Sequence, residues 1–149
     1  MALPTSRNIR IFCDSDVLIT GSASTSGASH ILLRLSELTL VDCVTSQYVI
    51  QEVERNLLAK LPTAVPAFRL IIEAAIKILP APSSAVEQGV ADQAHTKDVP
   101  ILAAAITSEA DFLATFNVRH FRPRNAPPLI RQPGAIVTQI RSSFSSLLN

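Results

Sequence analysis

The stretch RIFCDSDVLIT, residues 10–20, decides how this chain is read. Ile11, Phe12 and Cys13 form a short apolar run of the kind that makes a buried strand. Two aspartates follow at once, Asp14 and Asp16. Carboxylates are costly inside a protein unless they are partnered. A core strand that delivers Asp14 to its end therefore needs a reason.

Working outward, strand and helix patterns alternate. Residues 9–13 read as the first strand, and GSASTSGAS, 21–29, as a flexible loop. Ile31, Leu32, Leu35 and Leu38 mark one face of a helix, and LTLVDCVT, 38–45, returns to strand character. Ser46 suits the N-cap of a helix striped by Ile50, Val53, Leu57, Leu58 and Leu61. Pro62 and Pro66 break it, and a further helix spans 67–75. IKIL, 76–79, reads as a strand, 86–95 as a helix, and Asp98 as the N-cap of VPILAAAITSE, with Pro100 in its first turn. DFLAT, 111–115, is a strand, 119–133 a Pro/Arg-rich loop, AIVT, 135–138, the last strand, and a short helix closes the chain. The alternation predicts an α/β fold with a mainly parallel central sheet covered on both faces.

At 149 residues the chain reads as one domain over 1–149. It is 48% hydrophobic and 17% charged, against a usual charged share of about a quarter. Low charge, with apolar stripes near 31–40 and 57–72, predicts a homodimer. The first residues lack the apolar core of a signal peptide, and no apolar run approaches the roughly 18 residues of a membrane helix. A cytoplasmic protein with no membrane partner is expected. Cys13 and Cys43 lack zinc-site spacing and read as buried, reduced thiols.

In an open parallel sheet, ligands bind beyond the carboxyl ends of the strands. Asp14 follows the first strand directly, and Asn117 lies two residues past the DFLAT strand. Glu52 lies in the second turn of the helix leaving the 40–44 strand, so it can point back over the same edge. Asp98 is compatible with that edge, although its helix could run either way. Asp111, at the other end of its strand, reads as a surface or capping residue. A carboxylate cluster with no lysine beside it needs a cation, and hard oxygen ligands select Mg²⁺ or Mn²⁺. Such ions activate water and stabilise the charge of phosphodiester cleavage.

Three segments now carry a resemblance. IFCDSDVLIT, VTSQYVIQEVERNL and KDVPILAAAITSEADFLATFNVRHF resemble the signature blocks of PIN domains, a family that includes the VapC-type toxins of bacterial toxin–antitoxin pairs. The resemblance spans residues 9 to about 121 and implies a three-layer α/β/α sandwich that cleaves single-stranded RNA with a divalent metal. It implies an RNA substrate, a small antitoxin as partner, and a catalytic and metal-binding set of Asp14, Glu52, Asp98 and Asn117. Asn117 stands where many members have Asp. Asp16 stands where Asn is commoner, and it either adds a ligand or caps the turn at 17–19. Ser15 and Thr115 match positions whose hydroxyls brace the acidic cluster.

The charge pattern is consistent with RNA. Residues 1–111 carry eight Lys/Arg against twelve Asp/Glu, whereas 112–149 carry five arginines and no acid. Arg119, Arg122 and Arg124 could therefore contact phosphates, or could belong to a solvated loop. His120, beside Phe121, reads as packing. Two rival readings remain. A haloacid-dehalogenase-type phosphohydrolase would use Asp14-Ser15-Asp16-Val17, but Leu18 fails the next position of that motif. A non-catalytic PIN-fold binding or scaffold module would keep the architecture and lose the chemistry.

Overall fold

A computed structural model gives the structure and describes residues 7–148. Five strands form one sheet in the order β3-β2-β1-β4-β5: β1 Arg10–Cys13, β2 Asp42–Ser46, β3 Ile76–Leu79, β4 Phe112–Ala114 and β5 Leu129–Arg131. All four pairings are parallel, with Ile11 opposite both Cys43 and Phe112. The helices are α1 Ser15–Ala23, α2 Ala28–Glu37, α3 Gln47–Lys60, α4 Val65–Ala75, α5 Ser84–Gly89, α6 Val99–Thr107 and α7 Pro133–Leu148. They cover the sheet in the expected three-layer α/β/α arrangement. The central strands are buried on both faces, so β1 and β4 read as near-continuous apolar runs.

The local chemistry explains most element ends. Ser46 Oγ accepts the Val49 N–H at 3.3 Å and caps α3 as expected. A short 3₁₀ turn at Pro62–Ala64 separates α3 from α4, whose first turn accommodates Pro66. α6 is apolar nearly all round and is correspondingly buried.

Four expectations are corrected. The loop at 21–29 shrinks, because α1 continues through Gly21 to Ala23. A Cβ at position 21 would lie 2.7 Å from Leu33 Cδ1, so this glycine serves close packing of α1 on α2. Strand β2 starts at Asp42 rather than 38, because the residues before it complete the end of α2, where Thr39 adopts φ 63°. The helix expected at 86–95 ends by Gly89. The run 135–138 is helical within α7, where Pro133 sits in the first turn and Ile136 and Ile140 share the buried face. The fifth strand is instead Leu129–Arg131, inside the segment read as loop.

The two cysteines are buried and unpaired. No helix among the described residues is long and apolar enough to cross a membrane. Leu38, Leu58, Leu61 and Leu70, from the stretches behind the homodimer expectation, remain exposed.

Candidate active site

The strand order places the turning point of the sheet at β1, which has β2 on one side and β4 on the other. Successive connections leave β1 in one direction and return on the other side, which opens a crevice at the carboxyl ends of β1 and β4. Asp14 lies there, immediately after β1. Its backbone N–H donates to Ala114 O at 3.0 Å, tying it to β4. Thr45 Oγ1 donates to Cys13 O at 2.8 Å and fastens the end of β1 from the β2 side.

The Asp14 side chain caps α1 by accepting the Ser15 N–H at 2.7 Å, and its other oxygen accepts the Thr115 hydroxyl at 2.8 Å. That hydroxyl in turn accepts the Asn117 N–H at 3.0 Å. Thr115 therefore braces the site through its hydroxyl, whereas Ser15 does so through its backbone. Asp16 is not the cap of α1. One of its oxygens accepts the Phe116 N–H at 3.0 Å and the Asn117 amide nitrogen at 3.2 Å. The other, Oδ1, is buried without a hydrogen-bond partner.

The acids share one field. Asp14 has its pKa raised to about 7, first by burial and then by Asp16, with a further contribution from Asp98; the bonds from Thr115 and Ser15 oppose the shift. Asp16 is also raised, chiefly by burial, with Glu52 and Asp98 adding repulsion. Glu52 sits on α3 one turn after Tyr48, and the Tyr48 hydroxyl is raised by burial and by Glu52, Asp98 and Asp14. Tyr48 was not among the residues picked from sequence. The structure thus brings Asp14, Asp16, Glu52 and Asp98 within electrostatic reach, with Asn117 bonded to Asp16.

Solved structures share this architecture. VapC20 of Mycobacterium tuberculosis, described as a sarcin–ricin loop cleaving toxin, matches with a TM-score of 0.51 at 15% identity, over 72% of this chain and 89% of that one. VapBC2 from Rickettsia felis, bound to a DNA fragment from its promoter, matches at 0.63 and 14% identity, over 83% of this chain and 98% of the other. This chain has the PIN-domain fold. The sequence matches no family model and no curated protein.

Within this PIN fold, Asp98 departs from the capping role expected of its side chain. It begins α6 at the carboxyl edge of the sheet, yet its side chain makes no cap bond. Asp98 Oδ2 lies instead 2.9 Å from His120 Nδ1. His120 stacks on His95, with ring centroids 4.1 Å apart, so it is more than packing beside Phe121. Among the described residues, His95, Asp98 and His120 are the three whose ligand atoms all lie within 4.8 Å of one another. His95 was hidden from sequence reading by the helix expected through 95.

The arginines divide. Arg119 lines a cleft with Phe116, Asn117 and His120, close to the acids. Arg122 lines a smaller cleft with His95 and His120. Arg124 pairs with Asp92. Asp111 is neither a cap nor at the surface: it is buried at the opposite edge of the sheet and holds the Arg7 guanidinium in two bonds of 3.0 and 3.1 Å.

Proposed function

We propose that the protein is a divalent-cation-dependent endoribonuclease acting on single-stranded RNA, with Asp14, Glu52, Asp98 and Asn117 as its catalytic and metal-binding set. Asp14 carries the reading: a buried carboxylate surrounded by like charges, with its pKa raised to about 7. The partnerless Oδ1 of neighbouring Asp16 supplies a further hard oxygen donor at the same place. These donors fit Mg²⁺ or Mn²⁺, which oxygen-rich sites select over softer metals. When bound, such a cation lowers the pKa of a coordinated water and stabilises negative charge on a cleaving phosphodiester.

The chain's own contribution is to hold the donors still. Thr115 and Ser15 fix both oxygens of Asp14, and Asn117 and Phe116 fix Asp16. Donors locked in this way on a strand end and a helix start need little reorganisation when charge develops. Arg119 and Arg122, not tied up as Arg124 is, are the better placed to meet phosphates.

The fold likeness to VapC20 and VapBC2 supports a toxin with a small antitoxin partner. An apolar groove of ≈ 580 Å³, lined by Asp16, Ile19, Leu57, Leu61 and Phe68 among others, supports a docking place for an apolar segment of that partner.

The test is cleavage of a mixed RNA pool with Mn²⁺. Cleavage should stop with EDTA and fall about 100-fold or more in Asp14→Asn. Cleavage that survives both would overturn the reading. A non-catalytic module of the same fold would show no stabilisation by Mn²⁺.

A further inference from the structure

The segment just before α6 meets the segment just after β4 in a short antiparallel bridge, Ala94 opposite Phe121. Arg122 N–H donates to Gln93 O at 2.6 Å, and His95 N–H donates to His120 O at 2.9 Å. That register sets His95 directly opposite His120, and opposed residues of an antiparallel pair project from the same face. The stacked imidazoles follow from this backbone pairing. Asp98 reaches the same face through one 3₁₀ turn, Thr96–Asp98, in which its N–H donates to His95 O at 2.8 Å. Residues three apart eclipse in such a turn, so the spacing His95-x-x-Asp98 brings carboxylate and imidazole together.

We infer that His95, Asp98 and His120 form a binding site for a transition-metal ion of the Zn²⁺ class. Two imidazoles and one carboxylate are a borderline-soft donor set, which suits Zn²⁺, Co²⁺ or Ni²⁺ and discriminates against Mg²⁺. Zinc–ligand bonds near 2.0–2.2 Å need donor atoms about 3.3 Å apart. The His120–Asp98 pair already sits at 2.9 Å. Rotation of the exposed His95 ring brings the third donor in, since all three lie within 4.8 Å. The cleft beside the pair, ≈ 140 Å³, is lined by Asp92, which pairs with Arg124, and by Arg122.

The consequence for activity rests on the nuclease reading, because Asp98 belongs to both sites. A Zn²⁺ ion on the histidine pair draws Asp98 away from the acid cluster, so Zn²⁺ opposes Mn²⁺-dependent cleavage. The acid cluster is all hard oxygen and the second site is mostly nitrogen, so the two ions sort between them.

The experiment uses the full chain, with Zn²⁺ alone followed by calorimetry and Co²⁺ alone followed by visible absorption. Wild type and Asp14→Asn should both bind one Zn²⁺ and give the d–d bands of a nitrogen-ligated Co²⁺. His95→Ala should bind Zn²⁺ roughly tenfold or more weakly and lose those bands. His95 is exposed, and an unchanged metal-free melting temperature verifies that the variant folds. His95→Ala should also keep Mn²⁺-dependent cleavage while losing its inhibition by Zn²⁺. Zn²⁺ affinity or Co²⁺ spectra indifferent to His95 would overturn the site even if cleavage proceeds. Zn²⁺ binding that depends on His95, in a protein that cleaves no RNA, would uphold the site and reject the nuclease.

Discussion

Asp111 and Asp14 stand at opposite edges of the same sheet and are buried alike, 3% and 4% exposed. Asp111 holds Arg7 in a two-bond pair and accepts the Arg10 N–H at 2.8 Å, so its charge is answered from within the chain. Asp14 accepts one N–H and one hydroxyl, and the charged groups that shift it are acids. Burial alone therefore does not distinguish the two carboxylates. The distinction lies in their charged neighbours: a cation for Asp111, further acids for Asp14.

The contrast is most sharply broken by pH. Asp14 is raised from 3.8 to about 7 in the folded chain. Between those values the folded chain keeps a proton that the unfolded chain has lost. Metal-free stability should then fall as pH rises through that window, by up to about 4 kcal/mol. Denaturation in EDTA across a pH series measures this. Asp14→Asn should remove most of the slope, and Mn²⁺ should flatten it in the wild type.

A smaller effect is expected at the other edge. Arg7→Ala leaves Asp111 buried without its cation and should cost about 2 kcal/mol, less than a fully buried pair because Arg7 is half exposed. Urea denaturation reads the loss, and Mn²⁺ should not restore it beyond what it gives the wild type. Restoration in full by Mn²⁺ would erase the difference between the two edges.

The smallest change is expected from Asn117→Asp. It replaces the amide that donates to Asp16 with another carboxylate, so it adds charge to a site already short of cations. Half-maximal cleavage should then need several-fold less Mn²⁺, because affinity at hard-cation sites rises with ligand charge. The metal-free protein should melt lower. An unchanged Mn²⁺ dependence would confine Asn117 to positioning Asp16.

Sequence made the acidic edge legible because strand ends are topologically constrained: once β1 and β4 are recognised, Asp14 and Asn117 must emerge together. The interior of the sheet was legible for the same reason, since Ile11, Phe12 and Leu113 have no other plausible place. The histidine pair was not legible. It depends on a bridge between residues 94 and 121, and no local pattern announces a pairing that long-range. β5 is three residues long, too short for alternation or propensity to register, whereas the β-branched run at 135–138 imitates a strand inside a helix. Gly21 misled in the opposite direction, because a glycine that permits helix contact looks, in sequence, like a glycine that ends a helix.

The hydrogen bond from Thr115 to Asp14 joins residues 101 apart in the chain. The pairing of β1 with β4 must close that long loop, and such closures come late and slowly in folding. During synthesis Asp14, Glu52 and Asp98 all leave the ribosome before the strand that secures Asp14. Through most of its translation, the nascent chain therefore carries its acids without the cleft that organises them. Whatever chemistry the cleft performs begins only after β4 has paired with β1.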